Sequence, residues 1–328
     1  MSDNPLITVT LPDTGVREFM PALTDDVAQR VRLIDWDMRS DLPADVAARV
    51  TMVVAGHYWG GKSRWMRLTS LPHLQAVQIP SAGFEHMLPF VPQGVTVCNG
   101  RGVQPAGTSE MAMTLILAAQ RQLPRALASQ AAGQWEWFHA AGLTDQRVLI
   151  VGAGDIATAL AQRLAAFEAH VTLVGRTARP VPSGSALQAC GVTHIHAVDQ
   201  LPSLLTQADI VVVLVPGGDA TRHLIDAQAL AAMPDGALLV NLARGTVVDT
   251  DALVAQLTTG RLGAALDVTD PEPLPAGHPL WSCPGTLITP HLGGAVDAAS
   301  PRYGALVARQ ITHLARGLAL ENQVTDQG

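Results

Sequence analysis

Short β-branched, apolar runs alternate with segments of helical period along almost the whole chain. In the first third the runs are Leu6 to Val9, Val31 to Ile34, Met52 to Ala55, Ala76 to Ile79 and Val95 to Cys98. From about Ser109 to about Gln130 an Ala-, Leu- and Gln-rich stretch predicts one long helix, with Ser109 suited to its start. Beyond it come Val148 to Val151, Val171 to Val174, Ile210 to Val215, Ala237 to Val240, Gly263 to Leu266 and Thr286 to Ile288, with helical segments such as Asp226 to Ala232 and Thr250 to Leu257 between them. Uninterrupted apolar runs joined by helices predict parallel strands buried on both faces, an α/β fold built as two doubly wound parallel sheets. Thr177 to Gly184, rich in Pro, Ser and Gly, reads as a connector.

Composition narrows the picture. With 328 residues, 48% hydrophobic and 15% charged, the chain has core enough for two domains and is not disordered. A net charge of −7 disfavours nucleic acid and anionic membrane as partners. No apolar run approaches the length of a membrane span, and Met1-Ser-Asp-Asn-Pro lacks a basic region followed by an apolar core, so a cytoplasmic location is expected. Cys98, Cys190 and Cys283 form no CxxC pair and are expected to be buried, reduced thiols. The histidines show no metal-ligand spacing, so no metal is expected.

The first chemical signal follows the run at Val148 to Val151. Gly152-Ala-Gly154-Asp155-Ile156-Ala157 is a GxGxxA turn opening a helix, the arrangement that binds a dinucleotide pyrophosphate, a tight βα turn without ligand being the other reading. Gly152 permits the tight turn, Gly154 lets backbone approach the phosphates, and the helix-start amides at Asp155 and Ile156 complete the cradle. A carboxylate beside pyrophosphate is costly, so the Asp155 side chain is expected to point away. The next strand ends in Gly175-Arg176-Thr177, with Arg179 following, where an NAD site carries an acid for the ribose 2′-hydroxyl. Two guanidinium groups and a hydroxyl suit a 2′-phosphate, so NADP is preferred and NAD remains possible; the other reading is a solvated basic loop.

Three further motifs stand in order: Asn241-Leu-Ala-Arg244-Gly245, Ala265-Leu-Asp267-Val-Thr-Asp-Pro-Glu272-Pro-Leu274 and Thr289-Pro-His291-Leu-Gly-Gly294. With the dinucleotide turn, Gly83-Phe-Glu-His86 and the helix after Ser109, they resemble the D-isomer-specific 2-hydroxyacid dehydrogenases, a family that includes glyoxylate/hydroxypyruvate reductases and phosphoglycerate dehydrogenases. The chemistry of such a reaction fits the residues. Arg244 offers a planar cation for a carboxylate, His291 a proton donor for the carbonyl oxygen in reduction, and Glu272 a partner that orients the imidazole and stabilises its charged form.

The resemblance also implies a Rossmann cofactor domain at 104–294 and a discontinuous, smaller, flavodoxin-like substrate domain at 1–103 and 295–328. It places Pro216 and Asp267 among the cofactor-binding residues, Asp267 near the nicotinamide or supporting the active-site loops; an ordinary strand-end proline and a structural loop carboxylate are the other readings. The amides of Ala82 and Gly83 are expected to bind the substrate carboxylate, a simple turn being the alternative, and one of His57, Tyr58 and Trp59, with Tyr58 preferred, to touch the substrate side chain. Trp281 resembles a packing residue, and a homodimer is implied because members pair through the cofactor domain. The expected function is thus reduction of a small 2-oxo acid, glyoxylate or hydroxypyruvate, by NADPH. Glu272 stands where formate dehydrogenases carry Gln, which disfavours formate, whereas phosphite oxidation stays open. So does a non-enzymatic role as a dinucleotide-sensing protein of the corepressor type.

Overall fold

The computed structural model describes residues 6–12, 15–56 and 62–324. The chain divides into two compact units, Met1–Gln104 with Val296–Gly328, and Pro105–Ala295.

In the first unit β1 (Ile7–Leu11), β2 (Val31–Asp35), β3 (Val50–Val54), β4 (Ala76–Gln78), β5 (Thr96–Cys98) and β14 (Gln323–Val324) form one sheet in the order β14-β5-β4-β3-β1-β2. Apart from β14, which runs antiparallel to β5, the strands are parallel in the flavodoxin-like order 2-1-3-4-5. Val9, Leu11, Met52 and Val54 pack on one face against Tyr303, Leu306, Val307 and Ile311 of the helix Ala299–Arg316. Val53, Val77 and Val97 pack on the other against Trp36, Trp65 and Leu68. This two-sided burial explains why the strands read as continuous apolar runs.

The second unit holds β6 (Arg147–Val151), β7 (His170–Gly175), β8 (Arg179–Pro180), β9 (His194–Ala197), β10 (Ile210–Val213), β11 (Leu238–Asn241), β12 (Gly263–Leu266) and β13 (Thr286–Ile288). Their order is β13-β12-β11-β10-β6-β7-β9-β8, all parallel except β8. The six strands from β9 to β12 follow the 3-2-1-4-5-6 order of doubly wound dinucleotide folds, with the chain reversing direction across the sheet between β6 and β10. Val148 and Ile150 face the helices Pro105–Gln120 and Asp155–Ala166, through Ala112, Ile116, Leu160 and Leu164. Leu149 and Val151 face the opposite layer with Leu230, Leu253 and Leu257.

Several expectations are corrected. The single helix at about 109–130 is two, Pro105–Gln120 and Leu123–Ala131, broken at Gln122, which has φ 49°. The cause is Pro124, which has no N–H for the Gln120 carbonyl and whose ring would clash with it, so the first helix ends there and Pro124 falls in the first turn of the next. Ser109 lies within the first helix, its hydroxyl donating to the Pro105 carbonyl at 2.6 Å, while Pro105 takes the start, where its missing N–H costs nothing. The connector at Thr177 to Gly184 contains β8. Of the cysteines, all free, Cys98 is buried and Cys190 and Cys283 only partly so. Trp281 is 55% exposed, its indole N–H donating to the Pro275 carbonyl at 2.9 Å. Among the described residues, no helix is long and apolar enough to cross a membrane.

Candidate active site

Because β6, β10, β11, β12 and β13 are parallel neighbours, the loops leaving their carboxyl ends lie along one edge of the second unit's sheet. The residues that the motifs single out in this unit lie at these strand ends, in the loops and the helix start that follow them, apart from Arg176 and Thr177 after β7 and Arg179 on β8. That edge, beside the switch point between β6 and β10, is where open α/β sheets bind ligands.

The turn after β6 is built by two glycines with different duties. Gly152 has φ 128°, and a Cβ there would stand 2.7 Å from the Leu214 carbonyl oxygen, so the packing of β6 against the β10 loop requires glycine. Gly154 has φ −97°, and a Cβ there would meet nothing within 4 Å. Among the described residues no neighbour demands glycine at this position; the space ahead of the helix Asp155–Ala166 is open, and glycine leaves it free for a ligand to approach the backbone. Among the described residues no side chain caps that helix, so its first-turn amides and the positive end of its dipole face the same space. A pyrophosphate fits this cradle. Asp155 is exposed, Ile156 half-buried and Ala157 buried against the sheet.

At the end of β7, Arg176 and Thr177 are exposed. Arg179 folds back from β8, with Nη2 3.4 Å from the Ala153 carbonyl and Nη1 3.2 Å from where a Cβ on Gly175 would stand. A guanidinium therefore lies over the dinucleotide turn, in room left by a glycine.

Arg244 leaves the end of β11 through a braced loop. Asn241 accepts from the Ala243 amide at 3.0 Å through Oδ1 and donates to the Arg244 carbonyl at 3.1 Å through Nδ2. Arg244 Nη1 donates to the Ala243 carbonyl at 2.7 Å. Its stem packs on the loop after β10, where a Cβ on Gly217 would fall 2.8 Å from Arg244 Cγ. On the other side a Cβ on Gly245 would fall 1.9 Å from the Thr269 carbonyl oxygen, an approach that only glycine allows. Pro216, exposed beside Gly217, accepts from Thr221 Oγ1 at 2.7 Å.

His291 and Glu272 meet at 2.6 Å, Nδ1 to Oε1, both side chains 31% exposed. An ionised carboxylate only accepts, so Nδ1 carries the proton and Nε2 points away from Glu272. His291 has φ 54°, a left-handed conformation uncommon outside glycine, and Asp267 holds it there. The Asp267 carbonyl accepts from the His291 amide at 2.8 Å. Its carboxylate, 2% exposed, accepts from Thr289 Oγ1 at 2.6 Å and from the amides of Leu292 and Gly293 at 2.8 Å each. Both oxygens of Asp267 are spent on the loop, so this residue, grouped by resemblance with those touching the cofactor, is built as the clamp of the histidine loop. Sequence reasoning missed Thr289 and Gly293 as parts of that clamp, although both stand inside the Thr289–Gly294 motif.

The arrangement can bind an anion at Arg244, exchange a proton at His291 and hold a dinucleotide, all on one sheet edge. A model of the D-isomer specific 2-hydroxyacid dehydrogenase NAD binding domain matches residues 113–293. The chain belongs to this family. As a 2-hydroxyacid dehydrogenase it is an oxidoreductase acting on CH–OH groups, with an NAD(P)-binding domain in its second unit. It is 34% identical over 259 residues to a glyoxylate reductase of Thermofilum pendens, covering 76% of this chain and 74% of that one. It is 32% identical over 261 residues to the human glyoxylate reductase/hydroxypyruvate reductase, covering 77% of each. A solved 2-hydroxyacid dehydrogenase of Xanthobacter autotrophicus Py2, in complex with NADPH and MES, aligns over 98% of both chains with 26% identity and a TM-score of 0.77.

In the first unit, Ala82 and Gly83 lie half-buried in the loop after β4. Among the described residues, neither amide has a hydrogen-bond acceptor. His57, Tyr58 and Trp59 lie outside the described residues.

Proposed function

We propose that this dehydrogenase reduces small 2-oxo acids, glyoxylate or hydroxypyruvate foremost, and takes NADPH in preference to NADH. The observation that carries the reading is the 2.6 Å His291–Glu272 pair beside Arg244 on the strand ends of a dinucleotide-binding sheet. When bound, the nicotinamide supplies the hydride that reduces the carbonyl carbon. Arg244 binds the substrate's carboxylate and carbonyl oxygens through its planar fork, which orients the acid and polarises the carbonyl. His291 donates a proton from Nε2 to the carbonyl oxygen, general acid catalysis worth about 10²–10⁴-fold. Glu272 fixes the imidazole's orientation through its contact with Nδ1. Asp267 keeps His291 in place, and Pro216 shapes the loop on which Arg244 rests.

The unit Met1–Gln104 with Val296–Gly328 serves as the substrate-binding domain, with the amides of Ala82 and Gly83 taking the carboxylate. The NADPH preference rests on Arg176, Thr177 and Arg179, which offer charge-assisted hydrogen bonds to a 2′-phosphate at a strand end without an acid. A homodimer is supported by three large apolar side chains that stand exposed in one short stretch of the cofactor unit, Leu127 at 54%, Trp135 at 100% and Trp137 at 83%. The test is the initial rate with NADPH and with NADH against glyoxylate, hydroxypyruvate, pyruvate and bulkier 2-oxo acids. A kcat/KM about tenfold or more higher with NADPH on one small acid is expected, the equivalent of one charge-assisted bond. Silence with both cofactors, despite demonstrated dinucleotide binding, would overturn the reading.

A further inference from the structure

The first unit contains a buried polar chain that the reaction scheme does not use. Gln78, Asn99 and Gln310 are 0%, 6% and 0% exposed. Gln310 Nε2 donates to Gln78 Oε1 at 2.7 Å, Gln78 Nε2 donates to the Asn99 carbonyl at 3.1 Å, and Asn99 Nδ2 donates to the Ala82 carbonyl at 2.8 Å. Hydrogen bonds thus run from the helix Ala299–Arg316 to the loop that carries the candidate carboxylate amides.

The consequence follows from peptide geometry. The Gly100 amide takes the Ser81 carbonyl at 2.7 Å, and the Asn99 side chain takes the next carbonyl, that of Ala82. Across a trans peptide the following N–H points opposite to the carbonyl. Two successive carbonyls drawn to the 99–100 loop therefore turn the amides of Ala82 and Gly83 together to the other side, the arrangement of an anion-binding nest. The two loops cannot drift apart cheaply: a Cβ on Gly100 would stand 1.9 Å from the Pro80 carbonyl oxygen, so their backbones are in direct contact. Asn99 is itself held, its amide donating to the Asn322 carbonyl at 3.0 Å and its Oδ1 accepting from the Arg101 amide at 3.2 Å.

We propose that Asn99 is a positioning residue for the substrate carboxylate, acting through the Ala82 carbonyl to aim the Gly83 amide. The inference rests on the reading of Ala82 and Gly83 as the carboxylate-binding amides. Asn99→Asp keeps the shape and the acceptor for Arg101 but loses the donor to Ala82; Asn99→Ala loses both. Gly83→Pro removes the proposed contact itself.

The three variants are compared with wild type in KM and kcat for glyoxylate, or for the 2-oxo acid turned over fastest, and in the Kd for NADPH. Both Asn99 variants and Gly83→Pro are expected to raise the KM for the acid about tenfold, with kcat and the NADPH Kd changing about threefold or less. A raised KM in Gly83→Pro alone leaves the nest standing and overturns the role of Asn99. An unchanged KM in Gly83→Pro overturns the nest reading and this inference with it. Parallel losses in KM, kcat and NADPH binding in both Asn99 variants would show a merely structural residue and also overturn the proposal.

Discussion

Replacing Asp267 with asparagine tests how the histidine is held. The side chain keeps its shape, but one carboxylate oxygen becomes an amino group. If the remaining oxygen serves Thr289 Oγ1 and the Leu292 amide, the amino group faces the Gly293 amide, donor against donor, at a contact now 2.8 Å long. Leaving that buried N–H without an acceptor costs about 1–3 kcal/mol, and loss of charge weakens each of the two surviving bonds by roughly 1 kcal/mol. The total, about 3–5 kcal/mol, exceeds the roughly 1–3 kcal/mol stored in the left-handed backbone of His291, so the loop relaxes. A displacement of about 1 Å at the proton donor lowers turnover by about 100-fold. The assay is steady-state reduction of a 2-oxo acid by NADPH, read beside the NADPH Kd and a thermal melt. A kcat about 100-fold lower with the NADPH Kd changed less than about threefold is expected. A kcat within about twofold of wild type would refute the clamp.

Other outcomes follow from the same geometry. Gly154→Ala should leave the melting temperature within about 1 °C of wild type, because nothing lies within 4 Å of the new Cβ, yet raise the dinucleotide Kd about tenfold or more. Gly152→Ala should lower the melting temperature by about 5 °C or more, because its Cβ would meet the Leu214 carbonyl at 2.7 Å; isothermal titration and calorimetry separate the two variants. Arg176→Ala with Arg179→Ala should raise the KM for NADPH about tenfold or more while leaving that for NADH nearly unchanged, and equal losses with both cofactors would remove the 2′-phosphate role. Far from the site, the hydrogen bond and charge of Arg147 hold the Asp209 carboxyl below the usual carboxylate range. The folded state then binds fewer protons than the unfolded one, so the contribution is present at neutral pH and fades as pH falls below about 4. Asp209→Asn should cost about 1 kcal/mol or less at pH 7, with the difference from wild type in urea melts vanishing in acid; a pH-independent difference would contradict the assignment.

Much of this was legible because parallel strands buried on both faces leave an unmistakable pattern, and the chemistry sits at their ends. Val148 to Val151 followed by a GxGxxA turn located β6 and the phosphate cradle together. Arg244, Glu272 and His291 could be singled out because their three ordered motifs resemble those of a known family and each residue lies just beyond a run that reads as a strand. What escaped was set by tertiary contact. β9 carries His194 and His196 on an outer strand, and β8 and β14 are two residues each, so none shows an apolar run. The break at Gln122 depended on Pro124, a signal present in the sequence but outweighed by the helical composition around it. The duty of Asn99 could not be read at all, and support of the active-site loops by Asp267 stood only as one reading among others. Each acts through hydrogen bonds to residues remote in the chain or to main-chain groups, which no spacing records. Gly245 likewise reads as part of a loop until the Thr269 carbonyl is found against it.

The central claim is that His291 delivers the proton in reduction of a 2-oxo acid at this sheet edge. Asparagine tolerates the left-handed backbone that His291 adopts at φ 54°, so His291→Asn removes the imidazole with little disturbance of the loop. Single-turnover oxidation of pre-bound NADPH by glyoxylate, followed by stopped flow in wild type and His291→Asn, measures the step directly. The account predicts an unchanged NADPH Kd and a rate about 100-fold or more below wild type. NADPH oxidation by the variant at the wild-type rate would contradict it.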